Sequence, residues 1–84
     1  MKLENRQNSA SMRIDGRKLR TLREGRFLTR DELAGLVGMH RDSIGRIERG
    51  DWPGGSQIPT IRSLADALGV QPSEIIEDRK GDED

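Results

Sequence analysis

The chain has no cysteine and no tyrosine, and only one tryptophan, one phenylalanine and one histidine among its 84 residues. Without cysteine, no disulfide can staple the fold. A single imidazole with no thiolate also excludes a zinc finger. Aromatic residues make up 2% and hydrophobic residues 31%. Any core must therefore come from Leu, Ile, Val and Ala, which suits short packed helices better than aromatic-rich strands. Long apolar runs are missing too: nothing approaches the ~18 residues of a membrane span. The opening segment from Met1 to Met12 lacks the apolar stretch of a secretory signal, so a cytoplasmic location is expected by default. What remains is length for one compact domain, at a size where stability is marginal.

Net charge is zero, but its distribution is uneven. Residues 1–50 carry 12 Lys and Arg against 7 Asp and Glu, and residues 51–84 carry 3 against 8. From Arg13 to Arg30 alone there are seven basic residues against Asp15 and Glu24. Such a partition fits a basic face for an anionic partner and an acidic end turned away from it. A solvated face carrying both signs is the plainer alternative.

Residues 1–12 are polar and aperiodic and read as a disordered arm. Residues 78–84 read as a solvated acidic tail, leaving a domain over 13–77. Within it the caps predict five short helices and an all-α fold. Asp15 is an N-cap with Ile14 and Leu19 forming a hydrophobic staple across it, and this first helix runs to about Gly25, burying Leu19 and Leu22. Thr29 to Glu32 is a capping box, with Leu28 and Leu33 as its staple. The second helix presents Leu33, Leu36 and Val37 as its apolar face and stops at Gly38. A third helix follows Met39 and His40, with Ile44 and Ile47 inward and Gly50 at its end; its other faces are polar, so it must lie on the surface. Asp51 to Gln57 is a loop containing Pro53, Gly54 and Gly55. Pro59 opens a fourth helix with Ile61, Leu64, Ala65 and Leu68 on one side, ended by Gly69. A fifth, of a turn or two, runs from Pro72 through Ile75 and Ile76.

The second and third helices are joined by a short turn with Gly38, the form of a helix-turn-helix. Ala34 is small where the third helix crosses closely, and Ile44 and Ile47 anchor that helix from one side. Its outer face is left free for a DNA groove. In order and spacing, Leu22-Arg23-Glu24, Leu28 to Ala34, Gly38, Ile44 to Gly50 and Leu64 to Val70 resemble the phage-repressor-like family (Cro and repressor type, XRE-like). The resemblance covers about Arg13 to Glu77. It implies a compact five-helix lambda-repressor-like domain whose third helix reads the major groove. It also implies a structural ion pair between Arg23 and Glu48. The chain departs from the family at Phe27, where Gly is frequent, at His40, where Ser or Thr is usual, and in a loop after Gly50 about two residues longer than usual, with Trp52 in it.

Arg41, Asp42 and Arg46 match the family's base-contacting positions. Arg can donate two hydrogen bonds to guanine O6 and N7, and Asp can accept from cytosine N4. Ser43 is a candidate for phosphate or base. Thr29 and Arg30 lie at the start of the second helix, where backbone N–H groups also favour a phosphate. His40 is either a phosphate donor or a helix cap. Arg17, Lys18, Arg20, Arg26 and Arg49 are general electrostatic candidates, against the plain reading of solvated surface charges. Gly45 costs helix stability, ~1 kcal/mol against Ala, and either permits close approach of DNA or is simply tolerated. Trp52 is either a lid on the core or an anchor for a dimer.

No cofactor, metal or catalytic residue is expected, and the chain is not expected to be an enzyme: it has one His, no Cys and no Gly-rich phosphate loop, and its acidic residues fall on solvent faces or in the tail. Sequence-specific binding of double-stranded DNA by a transcription regulator, a repressor first, is the leading expectation. The alternatives are an antitoxin-like protein that binds a toxin and represses its own operon, or a protein-interaction module on the same fold. A homodimer through the 51–58 loop and helices four and five is expected, because one module buries too little surface for a specific site.

Overall fold

The computed structural model describes residues 11–52 and 55–77. Among the described residues four α-helices carry the architecture: α1 (Gly16–Gly25), α2 (Arg30–Val37), α3 (Arg41–Glu48) and α4 (Ile58–Leu68). Each boundary has a local cause. The Asp15 carboxylate accepts from the N–H groups of Arg17 and Lys18 at 3.0 and 3.2 Å and so starts α1. The Thr29 hydroxyl oxygen accepts from Glu32 N–H at 3.0 Å, while the Glu32 carboxylate accepts from Thr29 N–H at 2.8 Å. That reciprocal pair satisfies two donors that would otherwise be orphaned. Gly38 and Gly69 take left-handed φ of 73° and 71° and terminate α2 and α4, a conformation that costs glycine nothing.

The core gathers one side of every helix. Leu19, Leu33, Ile44, Leu64 and Ile75 are wholly buried, with Ala34, Ile47, Ile61, Ala65 and Leu68 beside them. Leu22, Val37 and Trp52 pack against this cluster from its edge. Leu36 was expected on the inner face of α2 but is 62% exposed. Leu33, Ala34 and Val37 share one side of that helix, and at 3.6 residues per turn Leu36 lies about a quarter turn off it.

The expected fifth helix is a single 3-10 turn, Pro72–Glu74. The cause lies just beyond it. Ile76 forms an antiparallel bridge with Ile14, Asp15 N–H donates to the Ile75 carbonyl at 2.8 Å, and Glu77 N–H donates to the Arg13 carbonyl at 3.0 Å. Pairing of this kind requires extended backbone, so the helix cannot continue. The all-α expectation is amended further by β1 (Ser11–Met12), antiparallel to β2 (Ser56–Gln57). Ser11 and Met12 thus belong to the folded domain and not to the arm assigned to residues 1–12. Residues 1–10 and the tail 78–84 lie outside the described residues.

Candidate nucleic-acid interface

The turn at Gly38 sets α3 across α2, and the two helices leave a groove on their outer side. Thr29 and Arg30 from the start of α2 line it together with Arg41, Asp42, Gly45 and Arg46 of α3. Arg49 lines it too, a residue given only a general electrostatic role by sequence. Ser43 and His40 are not on this wall. Ser43 is half-buried. His40 caps α3, its Nδ1 accepting from Asp42 N–H at 3.1 Å. That acceptor role requires the neutral ring to carry its proton on Nε2. His40 therefore replaces the usual hydroxyl cap with a ring nitrogen and keeps a second nitrogen able to donate outward.

The floor of the groove is an ion-pair network. Arg23 Nε and Nη2 donate to Glu48 Oε2 and Oε1 at 2.6 and 3.0 Å. The two side chains are 8% and 2% exposed. Arg23 Nη1 donates to the Leu28 carbonyl at 2.7 Å, so one guanidinium ties α1, the α1–α2 loop and α3 together. The hydrogen bond to Glu48 holds the Arg23 pKa above its ordinary value, against the opposing effect of burial. Arg30 Nε approaches Glu48 Oε1 at 3.5 Å, which draws the Arg30 side chain over the groove. Gly45 lies buried under these cations: a Cβ there would stand 3.3 Å from Arg49 Nη1 and 3.6 Å from Arg30 Cδ. Glu24 lies at the edge of this network, its exposed carboxylate 3.9 Å from Arg23 Nη2, and the hydrogen bond from Arg20 lowers its pKa.

Among the described residues, Arg46 is the exposed cation of α3 with an aromatic neighbour. Its guanidinium carbon lies 5.5 Å from the centroid of the Trp52 ring, and its Nη2 donates to the Asp51 carbonyl at 3.3 Å. Neither contact was legible in the sequence, because both depend on how the loop folds back. Phe27 is another surprise. It is 92% exposed and sits at φ 57°, a strained region for a bulky side chain and a conformation that glycine takes without cost.

Comparison with known proteins places the fold. The family model described as a helix-turn-helix domain matches residues 16–76. The chain belongs to that family. It is 48% identical over 40 residues to a protein of Pyrococcus horikoshii named as an HTH-type transcriptional regulatory protein; the match takes in 48% of this chain and spans 13% of that relative's length. Among solved structures, the restriction-modification controller protein C.AhdI from Aeromonas hydrophila is 37% identical, with a TM-score of 0.64 over 70% of this chain and 86% of that one. Hydroxyethylphosphonate dioxygenase contains a similar unit, 31% identical with a TM-score of 0.66, over 81% of this chain but only 14% of that one. The fold is thus also carried inside an enzyme, and the case for DNA rests on the groove and not on the architecture alone.

Proposed function

We propose that the chain is a transcription regulator that binds double-stranded DNA in a sequence-specific manner, with α3 in the major groove. The observation that carries this reading is the groove itself. It sets the exposed Arg41, Asp42 and Arg46 of α3 beside Thr29 and Arg30 at the start of α2, so that base-reading and phosphate-holding groups face one ligand. Arg41 and Arg46 donate to guanine O6 and N7, and Asp42 accepts from cytosine N4. Arg30 and the Thr29 hydroxyl hold a phosphate at the α2 N-terminus. The Thr29 oxygen accepts the capping hydrogen bond, which leaves its O–H proton for that role. Ser43, half-buried, is set back from this surface, and the outward nitrogen of His40 is a donor to the backbone beside it. The regulator acts as a repressor by occupying its site, and as a homodimer through the 51–58 loop, α4 and the 3-10 turn, since two-fold pairs of half-sites are the usual route to specificity from so small a module.

The test compares two variants on a duplex selected from a random library. Arg46→Ala should lose about 1–3 kcal/mol on the selected site and relax the preference at one base pair. Arg30→Ala should weaken all sequences about equally, because phosphates carry no sequence information. If Arg46→Ala leaves the ranking of single-base variants intact, the reading face has been assigned to the wrong residues.

A further inference from the structure

Trp52 is the chain's one indole. It sits in the loop beyond α3, half-buried against the edge of the core. Its ring lies under the Arg46 guanidinium, and the preceding residue, Asp51, accepts a hydrogen bond from the same group. Two successive loop residues therefore hold one side chain of α3. Arg46 at the same time lines both the α2–α3 groove and the adjoining cleft over Trp52. It rests on the loop without leaving the groove. Arg41, at the other end of the exposed face of α3, has no such support among the described residues.

We propose that Trp52 is a specificity-determining positioning residue, which fixes the Arg46 guanidinium at the groove before DNA arrives. The inference rests on the reading of Arg46 as a base-contacting side chain. Stacking on an aromatic ring occupies the face of a guanidinium, whereas recognition of guanine uses its edge. Of its five N–H groups, the Asp51 carbonyl takes one, and enough remain for a bidentate contact to O6 and N7. A long side chain already held in place loses less freedom on binding than a free one. The gain falls on the base pair that Arg46 reads and on no other. This gives the long loop a role beyond covering the core: the ring packs against the edge of the core and also carries the reading residue.

Binding isotherms on the selected duplex and on its single-base variants decide the matter. Arg46→Ala first identifies the base pair concerned. Trp52→Leu keeps an apolar side chain on the core and removes the ring, and should lower discrimination at that pair alone by about threefold. Trp52→Phe retains a ring face and should keep most of the discrimination. In the Arg46→Ala background, Trp52→Leu should change the base preference no further. Equal weakening on every duplex, or no change on any, overturns the positioning role while leaving base-reading by Arg46 standing. An Arg46→Ala protein with unaltered preference overturns the proposal by removing the contact it rests on. Should Trp52→Leu fail to fold, Trp52→Met takes its place in the same comparison.

Discussion

Glu48 is a carboxylate with almost none of its side chain in water, and a charge in that position must be matched or it destabilises the fold. Arg23 matches it with two hydrogen bonds in fork geometry and uses a third to hold the Leu28 carbonyl. A lysine could not reproduce this, because a point charge with a single nitrogen cannot bridge both carboxylate oxygens and a carbonyl. Arg23→Met should therefore cost about 3–5 kcal/mol, since it leaves the buried charge with only the half-exposed Arg30, at 3.5 Å, beside it. On a small domain whose whole stability is of order 5 kcal/mol, much of the protein would be unfolded at equilibrium. The double variant Arg23→Met/Glu48→Leu should recover most of the loss, because the stranded charge is gone as well. Urea titrations followed by far-ultraviolet circular dichroism measure both. A loss below about 1 kcal/mol for Arg23→Met would place the pair with solvated surface salt bridges and contradict the burial of Glu48.

At the scale of elements, what could be read from the sequence was what is encoded locally. Asp15, the Thr29–Glu32 box, Gly38, Pro59 and Gly69 act within a few residues of themselves, and the helices begin and end where these residues direct. The Arg23–Glu48 pair joins residues 25 apart; no spacing announces it, and it was accessible only through the family resemblance. The two-residue strands are too short to show alternation, and their partners are distant in sequence. The same holds for Gly16, whose importance no local rule reveals. A Cβ on Gly16 would collide with the backbone carbonyls of Ile47 and Glu48, so α1 begins where the end of α3 passes closest. Helix propensity alone would favour alanine there; the contact reverses the sign. Gly16→Ala should destabilise by about 1–3 kcal/mol, the usual cost of overpacking a closed site, because rigid backbone cannot yield as a flexible side chain can. Gly25→Ala, with open space around its Cβ position, is the control and should be neutral or stabilising. Thermal melts of the two variants give the comparison, and a neutral Gly16→Ala would mean that α1 and α3 can slide apart at no cost.

Over the whole molecule, zero net charge conceals a division of labour. The groove gathers Arg30, Arg41, Arg46 and Arg49 against only Asp31 and Asp42 among its lining residues. The carboxylates of the second half that are described, Asp51, Asp66, Glu74 and Glu77, line none of it. A phosphate approaching the groove meets a strongly positive surface, and charge elsewhere is screened beyond a Debye length, about 8 Å at physiological salt. Binding should accordingly follow the groove and not the net charge. Each phosphate neutralised releases condensed counterions and adds about 0.9 to the slope of log K against log salt. A two-fold dimer bringing Arg30 and two further cations from each protomer should thus show a slope of about −5. Arg30→Ala should make that slope shallower by about one unit for each protomer bound, as its phosphate contact is lost. Fluorescence anisotropy of a labelled duplex at a series of potassium chloride concentrations measures both slopes. An affinity that stays flat from low to moderate salt would mean that the arginines of the groove do not meet phosphate, and the groove would then have to serve a partner other than DNA.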